Sequence, residues 1–259
     1  MPDMKYLLWI MAMGCFCASA HAEPVLEKMT YSLDGKTFNG VIAYDKALKG
    51  PLPGVLVVHE WWGLNDFVKK KAVEMASIGY VAFAVDMYGG GVTTTDPKTA
   101  AKWSEEVSAS LIRSRARYAL RLLKEDLRVD AGRVGAIGFC FGGTTVLELA
   151  WSGADLAGVV SFHGELTSPK PEDKDIQAKV LVLQGAADPF ATHEAVASFQ
   201  DALEKAKVDW QMIIYGGAMH SFTNPEADSY HIKGVSYNEK AAFRSWRHME
   251  LFFREIFVH

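Results

Sequence analysis

The segment Gly138-Phe-Cys-Phe-Gly-Gly143 sets one cysteine between glycines, after the apolar run Val134-Gly-Ala-Ile137 and before a helix-length stretch at 142–151. Strand, tight turn and helix in that order form the setting of a G-x-S-x-G nucleophile turn, with Cys140 where serine would stand. So tight a turn brings the flanking backbone close enough that a Cβ there would collide, which is a reason for glycine. The central residue emerges at a helix N-terminus, whose partial positive charge favours a thiolate. A buried packing cysteine is the simpler reading of an isolated thiol. Packing gives no reason for glycine at both 138 and 142. The spacing also differs from the G-x-G-x-x-G of a dinucleotide-phosphate loop, so no cofactor is expected here.

A thiol nucleophile needs a base, and the base needs a group to orient it. Asp188 follows the run Val180-Leu-Val-Leu183, in Gln184-Gly-Ala-Ala-Asp188-Pro189. His220 follows Ile213-Ile214, in Tyr215-Gly-Gly-Ala-Met-His220-Ser-Phe222. Alone, Asp188 reads as a turn residue before proline and His220 as a loop histidine. Together, in the order nucleophile, acid, histidine, they make a Cys140–His220–Asp188 triad. The N–H of Phe141 and that of Trp61, in His59-Glu-Trp-Trp-Gly63 after the run at 54–58, are the expected oxyanion donors. Glu60 is a carboxylate at the end of a buried strand, which calls for a partner.

These residues must be held by elements that the apolar pattern also marks. Runs at 54–58, 80–85, 134–137, 156–161, 180–183 and 210–214 are nearly continuous, as in strands covered on both faces. Helix-length segments at 65–77, 99–125 (one bent helix or two), 142–151, 192–206 and 239–257 lie between or after them. Residues 29–33 and 38–44, around Asp34-Gly35, read as a leading hairpin. The expectation is an α/β-hydrolase fold: a mostly parallel, doubly wound sheet flanked by helices and led by an antiparallel hairpin. Chemistry in such sheets gathers beyond the strands' carboxyl ends, where Glu60, Cys140, Asp188 and His220 all fall.

The sequence resembles the dienelactone hydrolase family from about Tyr31 to the last helix. The resemblance is carried by His59-Glu-Trp-Trp-Gly63, Asp86-Met-Tyr88, Gly138-Phe-Cys-Phe-Gly-Gly143, Gly185-Ala-Ala-Asp188 and His220-Ser-Phe222. It implies cleavage of a small ester or lactone through an acyl-cysteine. It also implies that Glu60 hydrogen-bonds the resting thiol and takes its proton when substrate binds. One departure stands out. Family members that cleave dienelactone grip its carboxylate with arginines after the D-x-Y motif and after H-S-F; here those places read Gly89-Gly90-Gly91 and Thr223-Asn224-Pro225. Without that fork, Tyr88, Trp61, Trp62, Phe141, Phe162, His163 and Phe222 suggest an aromatic pocket for a neutral or apolar acyl group.

Of the 259 residues, 49% are hydrophobic and 22% charged, with a net charge of −4 and interspersed signs, which suits one large core and no nucleic-acid partner. Lys5, the apolar run at 6–13 and the small residues ending Ala20-His21-Ala22 read as a signal peptide over 1–22, with residues 23–259 as the mature hydrolase domain. Export to a periplasmic or extracellular space, with no lasting membrane insertion, follows. Cleavage after Ala22 would remove Cys15 and Cys17 and leave Cys140 alone, excluding an internal disulfide and a C-x-x-C redox pair. The histidines show no metal-ligand spacing. An exported non-catalytic binding protein on this scaffold, or an acyltransferase or peptidase using the same triad, remains the alternative; oligomeric state is not legible.

Overall fold

A computed structural model describes residues 23–258, so the expected signal segment lies outside the described residues. The strands are β1 (Pro24–Leu33), β2 (Lys36–Asp45), β3 (Leu52–Val58), β4 (Val81–Val85), β5 (Val129–Phe139), β6 (Gly158–Phe162), β7 (Lys179–Gly185) and β8 (Trp210–Tyr215). The helices are α1 (Asp66–Ser77), α2 (Pro97–Glu106), α3 (Ala109–Glu125), α4 (Phe141–Trp151), α5 (His193–Ala206) and α6 (Glu239–Phe257). They build one eight-stranded sheet in the order β1-β2-β4-β3-β5-β6-β7-β8. The hairpin β1–β2 is antiparallel and joins β4 antiparallel, while β4 through β8 run parallel.

The continuous apolar runs are explained by burial on both sides. Val55 and Val57 of β3 and Ala82 and Ala84 of β4 face the layer that contains Met75, Phe252 and Phe253 of α1 and α6. Their neighbours Leu56, Val58, Val81, Phe83 and Val85 face the layer of Leu120, Leu123, Val146 and Phe199 from α3, α4 and α5. Period-two alternation thus feeds two cores instead of one core and solvent.

The segment at 99–125 is two helices. Asp96 caps α2, accepting from the Thr99 N–H, and Ser108 caps α3, accepting from the Leu111 N–H. The intervening turn brings the start of α3 towards the carboxyl ends of the strands. Beyond β4, Asp86 accepts four backbone N–H groups, from Asn39, Tyr88, Gly89 and Gly91 at 2.8–3.0 Å. It thereby fixes the glycine loop that orients Tyr88.

Candidate active site

Cys140 joins β5 to α4 with φ +52° and ψ −116°, a conformation few non-glycine residues adopt. Its surroundings force that conformation. A Cβ on Gly138 would stand 1.9 Å from the Gly142 carbonyl oxygen, and one on Gly142 would stand 2.3 Å from the Val58 carbonyl oxygen. The turn is therefore closed on itself, and α4 starts hard against the end of β3. No side chain caps α4. The N–H groups of Phe141 and Trp61 donate to no acceptor among the described residues, which leaves two backbone donors free beside the thiol.

The Trp61 loop is braced from behind. The Tyr88 hydroxyl donates to the Trp61 carbonyl at 3.0 Å. Buried His59 accepts from the Met87 N–H at 3.1 Å through Nε2, which leaves its Nδ1–H to donate to the Glu60 carbonyl. Its ring stacks on Phe141.

Asp188 is buried, and its Oδ2 accepts from His220 Nδ1 at 2.9 Å. The same oxygen accepts from Gln184 Nε2 at 2.8 Å, and Oδ1 accepts from the Phe190 N–H at 2.9 Å. These bonds fix the carboxylate plane and hold His220 by Nδ1, leaving Nε2 free in the cleft that Cys140 also lines. Burial works against an imidazolium at His220, but the cysteine and Asp188 outweigh it and push the group up to about 10. The loop carrying His220 is strapped by backbone bonds from His220 N–H to Gly234 and from Ser236 N–H to His220.

Glu60 is fully enclosed. Its Oε2 accepts from Asn224 Nδ2 at 2.7 Å, and Oε1 has no partner. Burial raises its proton affinity, opposed by the neighbouring Ser221 and Asn224 side chains, although the Ser221 hydroxyl does not complete a hydrogen-bonding geometry to Oε1. The resemblance implied a bond between Glu60 and the resting thiol. In this arrangement the carboxylate is turned to Asn224 instead, and Cys140 shares the cleft with His220.

A cleft of about 620 Å³ opens over Cys140 and His220. Trp61, Trp62 and Phe141 line it. Four residues expected to line the pocket do not. Phe162 is stacked on Phe139 in the core, Phe222 packs against Tyr215, and Tyr88 stands behind the Trp61 loop facing a separate small cavity. His163 is buried beneath the turn: its Nδ1 accepts from the Cys140 N–H at 3.1 Å, so its Nε2–H donates to Thr223 Oγ1 at 2.7 Å. Burial, then the charge on His220, holds it neutral. Type alone could not separate wall from core, because strand direction decides it. The sequence reading missed Ile112, Phe190, Ile232 and Val235 in the wall, and the positioning roles of Gln184 and Asn224. Gln184, four residues before Asp188 at a buried strand end, was the one detectable signal.

A doubly wound parallel sheet with a nucleophile-type turn after its central strand, followed in order by a buried acid and a histidine, defines an α/β-hydrolase. The family model described as "Dienelactone hydrolase family" matches residues 38–257, and the chain belongs to that family. A crystal structure of a dienelactone hydrolase-like promiscuous phosphotriesterase from metagenomic libraries is 39% identical. It superposes with a TM-score of 0.87 over 90% of this chain and 99% of that one. A Saccharolobus solfataricus protein whose name refers to carboxymethylenebutenolidase activity is 25% identical over 268 residues, covering 89% of this chain and 98% of its own. "Protein usf" of Aquifex pyrophilus is 28% identical over 210 residues, 78% of this chain and 88% of the relative. The chain is accordingly a carboxylic ester hydrolase of the dienelactone hydrolase kind. Among the described residues no cluster of three or more metal-ligating side chains occurs, and no helix is long and apolar enough to cross a membrane.

Proposed function

We propose that the protein hydrolyses, through an acyl-Cys140 intermediate, a small ester or lactone that bears no carboxylate. The observation that carries this reading is the sulfur of a strained, glycine-flanked turn facing the His220–Asp188 pair at the floor of an apolar cleft. Cys140 attacks the carbonyl carbon as the thiolate, with its proton held on His220 Nε2. The carbonyl electrons move onto oxygen, where the N–H groups of Phe141 and Trp61 stabilise the charge, each such donor being worth on the order of 10²–10³ in rate. Collapse expels the alcohol oxygen, which takes the proton from His220. In a lactone that oxygen stays tethered to the acyl chain. Water then gives a proton to His220, adds to the thioester and releases the acid and the thiolate.

Glu60 serves in this proposal as an alternative proton acceptor for a resting thiol, reached by turning from Asn224 towards Cys140. Its enclosure raises its proton affinity in the direction that role requires. The segment 1–22 is proposed as a cleaved export signal, which places the mature enzyme outside the cytoplasm. The test is hydrolysis of p-nitrophenyl acetate and of simple lactones by wild type and Cys140→Ala, with trapping of the acyl-enzyme by mass spectrometry. Turnover that survives Cys140→Ala would exclude covalent catalysis by this residue.

A further inference from the structure

Among the described residues, no lysine or arginine lines the cleft. The one group there that can carry a positive charge, among the described residues, is His220, already paired with Asp188. Two carboxylates line it, Glu105 near the end of α2 and Glu165 just after β6, and neither has an ion-pair partner among the described residues. Glu165 is tied close to the nucleophile: its N–H donates to Thr144 Oγ1 at 3.0 Å, and that hydroxyl reaches the Cys140 carbonyl at 3.5 Å. The nearby arginine, Arg113, beside wall residue Ile112, is consumed by Glu148 and by both oxygens of Asp173. Arg115 donates to the Met87 carbonyl and lines the separate cavity behind Tyr88 with Lys36.

The apolar part of the wall is aromatic. Trp61, Trp62 and Phe141 lie within, and Phe190, 60% exposed, stands at the rim against His220. Aromatic faces beside carboxylates form the surface that holds alkylammonium groups, because the ring quadrupole and the formal charge attract the same ion.

We infer that Glu105 and Glu165 make this cleft select substrates bearing an ammonium group away from the scissile carbonyl, over neutral ones, and discriminate against carboxylates. This rests on the hydrolytic reading above and deepens it by assigning the sign of the substrate's charge. Both glutamates are exposed, so the discrimination is moderate and salt-sensitive.

Two measurements on the full chain test it. The first needs no hydrolysis. Cys140 is modified with trimethylammonioethyl, methyl and sulfonatoethyl methanethiosulfonates, each of which leaves a mixed disulfide on sulfur and releases methanesulfinate. Rates are read from the Cys140 peptide by mass spectrometry and normalised to 2-mercaptoethanol. The cation-to-anion ratio is expected to fall by about three- to thirtyfold in Glu105→Gln/Glu165→Gln relative to wild type, and to shrink in 0.5 M salt. The second compares kcat/KM for acetylcholine, 3,3-dimethylbutyl acetate and 4-acetoxybutanoate, and for a matched set charged on the acyl side. Ammonium above neutral above carboxylate is expected in at least one set, compressed in the double variant. An unchanged reagent ratio in the variant overturns the inference. So do flat ester series, or a preference for carboxylate, which would direct the substrate towards Lys36 and Arg115. The expected reagent ratio with no turnover of any ester would count against the hydrolytic reading alone.

Discussion

His220 carries its charge far above the usual histidine range because it sits between the Cys140 sulfur and the buried Asp188 carboxylate. A cation whose proton affinity is raised on folding stabilises the native state fully below its ordinary value of 6.5, and that contribution is lost as pH rises through about 10. The imidazole resonances of His220 are therefore expected to titrate near pH 10 in wild type. In Cys140→Ala the midpoint should fall, since one of the two causes is gone. A midpoint that stays put would assign the whole shift to Asp188. In activity, Cys140→Ala and His220→Ala should each lose about 10³-fold or more in kcat/KM, because members of such a unit fail together. Iodoacetamide should inactivate in step with labelling of Cys140. Glu60 behaves in the opposite sense to an ordinary carboxylate. Its raised proton affinity means that the folded chain holds this proton more tightly than the unfolded one, so stability falls as pH climbs above about 4.5. Glu60→Gln should melt higher than wild type at neutral pH and should lose that advantage below pH 4. It should also acylate more slowly, though with a smaller loss than Cys140→Ala, as an amide cannot accept the thiol's proton.

The strand–turn–helix element from β5 to α4 was legible because its glycines are dictated by backbone contact. That contact sets a measurable contrast. Gly138→Ala and Gly142→Ala drive a Cβ into carbonyl oxygens at 1.9 and 2.3 Å, whereas a Cβ on Gly132 of the same strand meets nothing nearer than 3.4 Å. The first two substitutions should cost about 1–3 kcal/mol in stability, with a larger loss of kcat/KM as the sulfur is displaced; Gly132→Ala should change neither much. Thermal melts beside kinetics separate the two effects. The strand runs at 54–58 and 180–183, and with them the loops bearing Glu60 and Asp188, were equally plain. The pocket wall was not. Phe162 and His163 are adjacent in sequence, yet one is stacked in the core and the other is turned beneath Cys140 by a backbone φ of +42°. No periodicity encodes such a turn. Ile112 and Glu105 reach the cleft only because the long helical segment breaks at Ser108, and its uninterrupted helix-forming composition on either side left one bent helix equally open.

Across the whole molecule, Arg113 on α3 pairs with Glu148 on α4 and, through two hydrogen bonds, with Asp173 in the segment between β6 and β7. Arg113→Met would leave two nearly buried carboxylates without a cation, at a cost of about 2–3 kcal/mol. Limited proteolysis should then open the 165–178 segment before the rest of the fold. For the exported form, N-terminal sequencing is expected to begin at Glu23-Pro24; a mature chain that retains Met1 would end that proposal. The bond from Glu60 to Asn224 spans 164 positions of sequence, and His220 lies 80 positions beyond the sulfur it faces. On the proposed mechanism, a polypeptide emerging from the ribosome carries a thiol without its base until His220 has been made. The proposed base reaches the thiol only with β8 and the loop that follows it. Were His220 the base, hydrolysis would be a timer as well as a reaction: in a translation-arrest series, no nascent chain should show it before His220 clears the exit tunnel.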